Sequence, residues 1–181
     1  MASATAVSKP VSSSPALPIA FITLRILIVA NWVMAGAIVV LLVALPNEEW
    51  IMSALKLSPS PDADRVVMGL RAIALIGLGI VPLNYAVLKH LLAIVRTVRE
   101  GDPFVSLNAL RLRSIAWTLL TLQVLGVIIS IIAQGISSPG HEVRIEAGFS
   151  TAGWLAVVLT FVLARVFAAG TSMRDDLQGT V

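Results

Sequence analysis

The chain has 181 residues, 57% of them hydrophobic and only 13% charged, with a mean hydropathy of +0.94. A soluble domain carries about twice that charged share, and a chain of this size could not bury so much apolar surface, so the composition excludes a soluble globule and leaves a membrane protein. Cysteine is absent, which excludes disulfides, thiolate metal sites, iron–sulfur clusters and covalently attached haem, and a formal charge of only +3 favours basic loops at the membrane edge over direct nucleic acid binding.

Residues 1–18, rich in Ser, Ala and Pro, read as a disordered N-terminal tail, and residues 19–181 as one membrane domain. Four stretches lack any charged residue or histidine: 26–47, 72–88, 114–140 and 147–164. Each suffices to cross a hydrocarbon core about 30 Å thick. Spans are therefore predicted at about 24–45, 70–90, 114–134 and 147–166. The first reads as a retained span, because its apolar core is too long for a signal peptide and no small-x-small cleavage site follows it. The predicted fold is all-α: a polytopic four-transmembrane-helix bundle. Nine Lys and Arg flank the spans on the side of the termini and four on the other side. The positive-inside rule then places both termini, the loop 91–113 and the tail 167–181 in the cytoplasm of a cell whose inner (plasma) membrane holds the chain.

Between the first two spans, Ser58-Pro59-Ser60-Pro61 is predicted to break any helix. From Lys89 the sequence KHLLAIVRTVRE keeps helical period, so span two is expected to continue as a cytoplasmic helical extension. It should end at Gly101, with Pro103 preventing resumption, and Ser106 or Asn108 should cap the next helix. The tail after span four is expected to extend in the same way.

Two stretches carry a family likeness: residues 99–117, REGDPFVSLNALRLRSIAW, and residues 163–181, LARVFAAGTSMRDDLQGTV. Gly101, Asp102, Pro103, Phe104, Asn108, Leu112, Arg113 and Trp117 fit one pattern. The C-terminal MRDDLQGTV fits another, with Gln178 where Glu is commoner. Together they resemble the bacterial membrane family of domain of unknown function 2975, from span one onward. The resemblance brings no assigned activity. It implies a partner, since such proteins tend to be encoded beside small helix-turn-helix transcription regulators of the phage-repressor type.

The residues themselves offer little catalytic chemistry. His90 and His141 fall on opposite sides of the predicted membrane and cannot share a metal or a haem iron. No Gly-x-Ser-x-Gly, phosphate loop or carboxylate–histidine arrangement appears, so no catalytic residue, cofactor or metal site is expected and the chain reads as non-enzymatic. No ionisable residue lies inside the four uncharged cores, which argues against transport by a carboxylate relay. The intramembrane polar residues Asn31, Asn84 and Gln123 read first as interhelical hydrogen-bonding groups and second as a binding site. On span four, Gly148, Ala152, Ala156, Thr160 and Ala164 stand four apart, a ridge that permits close approach of another helix from this chain or from a second copy in a homo-oligomer. The candidate cytoplasmic partner surface is Arg96, Arg99, Glu100, Asp102, Arg111, Arg113, Arg174, Asp175 and Asp176. Two functions are carried forward: a regulatory protein that binds a soluble partner, and a small oligomeric transporter or pore subunit.

Overall fold

The computed structural model describes residues 16–44, 61–136 and 150–178. They form four helices: α1 (Ala16–Ala44), α2 (Pro61–Arg99), α3 (Ser106–Ile136) and α4 (Thr151–Gln178). All four are long and apolar enough to cross a membrane, and there is no strand among the described residues. In hydrocarbon every backbone N–H and C=O must find its partner within the segment, which an α-helix achieves alone. The protein is an all-helical, multi-pass membrane protein.

One boundary differs from expectation for an identifiable reason. Helix α2 starts at Pro61, not near residue 70. The last residue of the Ser-Pro-Ser-Pro run does not end a helix but begins one, because at the first helical position the missing N–H of proline has no bond to lose. Asp64, Arg65 and Arg71 therefore lie on a helix and not in a loop. Helix α3 starts at Ser106, one of its two expected caps, and carries Arg111 and Arg113 in its opening turns towards the third span, as expected. Helix α1 starts at Ala16, so residues 16–18 are helical. Gly148, His141, the tail 1–15 and the segments 45–60, 137–149 and 179–181 lie outside the described residues.

At 1.5 Å per residue the 39 residues of α2 span about 58 Å, well beyond a bilayer core. It runs unbroken through Pro82. It ends in a closed C-cap: Gly101 has φ 87°, its N–H donates to the Val98 carbonyl (3.2 Å), and the Asp102 N–H donates to the Thr97 carbonyl (3.1 Å). This left-handed residue is the reason a glycine stands there.

Packing runs mainly between successive helices: α1 on α2, α2 on α3, α3 on α4. Near the end carrying the 100–105 turn, Leu112, Ile115 and Ala164 form a core with Val87, Leu91, Ile94, Leu119 and Phe167 around it. Towards the other end, Val67 and Ala74 of α2 pack with Leu70 against Ile38 and Leu42 of α1. Large apolar side chains such as Val33, Val40, Ile131 and Leu155 remain exposed, which is the surface a bilayer covers.

Candidate functional site

The N-terminus of α1, the C-terminus of α2, the start of α3 and the end of α4 meet at one end of the bundle, called here the turn end. Asn108 organises it. The residue is completely buried; of the two expected caps, Ser106 stands at the start of α3 and Asn108 within its first turn, its side chain directed to the preceding helix and turn. Its Nδ2 donates to Thr97 Oγ1 of α2 (2.7 Å) and to the Pro103 carbonyl (2.9 Å). Its Oδ1 accepts from Arg111 (2.8 Å). Thr97 in turn donates to the Ile94 carbonyl (2.8 Å). Every polar atom of the buried amide is thus engaged, the condition under which a buried polar group fixes a local geometry at no net loss.

The end of α4 closes over this turn. Phe104 stacks on Phe167 with ring centroids 5.4 Å apart. A Cβ at Gly170 would meet the Phe104 ring at 3.1 Å, so the absence of a side chain there lets the ring settle on the helix. Beyond it, Arg174 donates to Asp102 as an ion pair, both side chains nearly half exposed. Thr171 is buried and donates to the Phe167 carbonyl (2.9 Å). The two stretches that carry the family likeness therefore form one contact surface, although about fifty residues separate them in sequence.

The other residues of the expected partner surface divide. Arg111 is turned inward onto Asn108. Arg113 is exposed and lines a groove with Trp117, Phe161, Arg165 and Ala168. Asp176 is exposed and engaged with a neighbour, whereas the side chain of Asp175 lies outside the described residues. Arg96 and Arg99 face α1, with guanidiniums 5.8 and 5.2 Å from the Phe21 ring, and Glu100 is exposed beside them.

The intramembrane polar residues are not one constellation. Asn31 and Asn84 line a common cavity of about 340 Å³ between α1 and α2, and Asn31 Nδ2 donates to the Val81 carbonyl (3.2 Å). The neighbouring Trp32 and Tyr85 rings lie 5.8 Å apart. Gln123 is elsewhere: its Nε2 donates to the Ser150 carbonyl at the start of α4 (3.5 Å) and lies over Gly153, where a Cβ would overlap it. Ser150 also caps α4, accepting from the Gly153 N–H (3.1 Å). Thr160 donates back to the Ala156 carbonyl of its own helix (2.7 Å). On the small-residue ridge, Ala164 is buried against α3, while Ala152 and Ala156 are exposed; the face of α4 that α3 covers carries Val157, Ala164 and Thr171.

Sequence reasoning missed Phe21, Thr97, Phe167 and Gly170. Phe21 and Arg25 stand one helical turn apart, with the guanidinium 4.7 Å from the ring, a pairing that spacing alone could have flagged. The other contacts are long-range and leave no local signal. His90, read as a surface residue, is half-buried with no partner for Nδ1. Among the described residues no group of His, Asp and Glu could hold a metal.

The family described as protein of unknown function (DUF2975) matches the chain over residues 43–181. No curated protein and no solved structure matches it.

Proposed function

The chain belongs to the DUF2975 family, and on that premise we propose that it is a non-enzymatic regulatory membrane protein whose turn end faces the cytoplasm and docks a soluble partner. The observation that carries this reading is the closure of α4 over the 100–105 turn through Arg174 on Asp102 and Phe104 on Phe167. A loop and a tail with no shared task would not need to be braced against each other. Here they form one fixed surface with mixed charge at its rim, including Arg113 and Asp176. Fixed geometry with charges of both signs suits recognition of a protein better than a general attraction to anionic lipid, which repels the acids. The excess of Lys and Arg on the turn-end side supports a cytoplasmic position, and the family resemblance suggests a small helix-turn-helix regulator as the partner. A second reading, a small oligomeric transporter or pore subunit, draws on the exposed Ala152 and Ala156, where another copy could approach closely.

The test is recruitment. A tagged copy of a helix-turn-helix regulator encoded beside this protein should fractionate with membranes only when the protein is present, and Asp175→Lys with Asp176→Lys should release it without affecting insertion. A regulator that remains soluble in both cases defeats the regulatory reading and leaves the oligomeric one in front.

A further inference from the structure

We propose that Arg25, Arg96 and Arg99, gathered round Phe21 at the turn end, hold the phosphate of an anionic phospholipid whose acyl chain lies along α1. Three guanidiniums from two helices converge on one phenyl ring, at 4.7, 5.8 and 5.2 Å from its centroid. The ring face attracts each cation weakly at an exposed site, but it does not neutralise three like charges. Among the described residues no carboxylate pairs with any of them. Glu100 lines the same recess as Arg96 and Arg99, and its single charge leaves the cluster positive. All three arginines are exposed, so their donors are free for an incoming anion. A guanidinium presents paired N–H groups that match two oxygens of a phosphate.

The depth of the cluster identifies the source of that phosphate. Arg25 is the last charged residue before the uncharged stretch 26–47, which puts it where polar headgroups meet hydrocarbon. From Arg25 an apolar groove of about 710 Å³ continues down α1, lined by Ile26, Val29, Ala30, Val33, Met34 and Ala37. From Arg25 to Ala37 the helix advances about 18 Å, close to the depth of one leaflet, half of a core about 30 Å thick. Arg25 belongs both to the cationic cluster and to an apolar track of one leaflet's length, a combination that fits a lipid, with charge at one end and hydrocarbon at the other. A soluble anion would use the cradle and leave the track empty. The site is separate from the braced turn, so it stands or falls independently of partner docking.

The full-length protein, purified in a neutral detergent, would be mixed with phosphatidylglycerol or phosphatidylcholine and bound lipid counted by native mass spectrometry. Phosphatidylglycerol should be retained selectively, and Arg25→Gln with Arg99→Gln should weaken that retention about tenfold, as expected for lost charge-assisted bonds. Arg113→Gln with Arg165→Gln, which removes the same charge from the α3–α4 side of the turn end, should leave it nearly unchanged. Equal loss in both double variants would overturn the proposal by reducing the effect to net charge. Displacement of the lipid by inorganic phosphate at low concentration would overturn it too, by making the site one for free anions. If the double variant does not fold, the native protein decides: equal retention of the two lipids rejects the site.

Discussion

Asp102, in the turn between α2 and α3, pairs with Arg174 near the end of α4, 72 positions later. The pair marks where the tail meets the loop, yet both side chains are nearly half exposed. Exposed pairs contribute only about 0.2–1 kcal/mol. Arg174→Ala should therefore lower the thermal midpoint in detergent only slightly, and its effect should not add to that of Asp102→Ala. A large loss from either change would mean that the pair holds the tail by itself.

Asn108 should matter more. Its removal strands the Pro103 carbonyl and the Arg111 guanidinium around a fully buried position. Each buried polar group left without a partner costs about 1–3 kcal/mol. Asn108→Ala should destabilise the protein by at least that much and increase proteolysis within residues 100–105. Thr97→Val, which removes one link of the network, should cost less than Asn108→Ala.

Gly69 marks a close crossing of α2 and α3. A Cβ there would lie 2.4 Å from Ile136 Cγ2 and 3.4 Å from its Cβ, and a β-branched side chain has little freedom to withdraw. Gly69→Ala should cost about 1–3 kcal/mol through overpacking. Ile136→Ala in the same chain should recover part of that loss, measured as the thermal midpoint in detergent.

Along α4 the neighbours Ala156 and Val157 should respond oppositely. Val157 is buried and Ala156 exposed. Val157→Ala should lower stability by about 1 kcal/mol or more through lost packing, whereas Ala156→Leu should be tolerated by a single chain. If Ala156→Leu proves the more damaging, a second copy occupies that face, and the loss should coincide with loss of a crosslinked dimer.

Orientation can be read with single cysteines, because the chain has none of its own. Ser106 and Ser172 are exposed at the turn end. Ser106→Cys and Ser172→Cys should both resist a membrane-impermeant thiol reagent in intact cells, while Ser58→Cys should react. Labelling of Ser106→Cys from outside would reverse the orientation.

The helices were legible because lipid imposes one rule on every residue of a span: 18 or so uncharged positions in sequence leave few alternatives. The start of α2 was less legible, since Pro61 looks like a loop residue when hydropathy alone is weighed, whereas the start of α3 could be read from its capping residues. The helix stop at Gly101 could be read because a C-cap is local chemistry. Asn108 could be read from the sequence only as a possible cap and a family position, because its partners Thr97 and Pro103 stand on the preceding helix and turn, and their geometry appears only on folding. Asn31, Asn84 and Gln123 were seen as polar residues in spans, yet depth along a helix does not say which neighbour it faces. That is why the first two share a cavity and the third does not.

The order of packing has a consequence for biogenesis. Since each helix packs mainly on the one before it, a chain inserted from its N-terminus finds the principal neighbour of every new span already in the bilayer. No span waits for a distant one, so the entropy lost in closing each loop stays small and few exposed faces persist during synthesis. The bond from Arg174 to Asp102 joins the last helix to the turn between the second and third, so it can form only after α4 has taken its place beside α3.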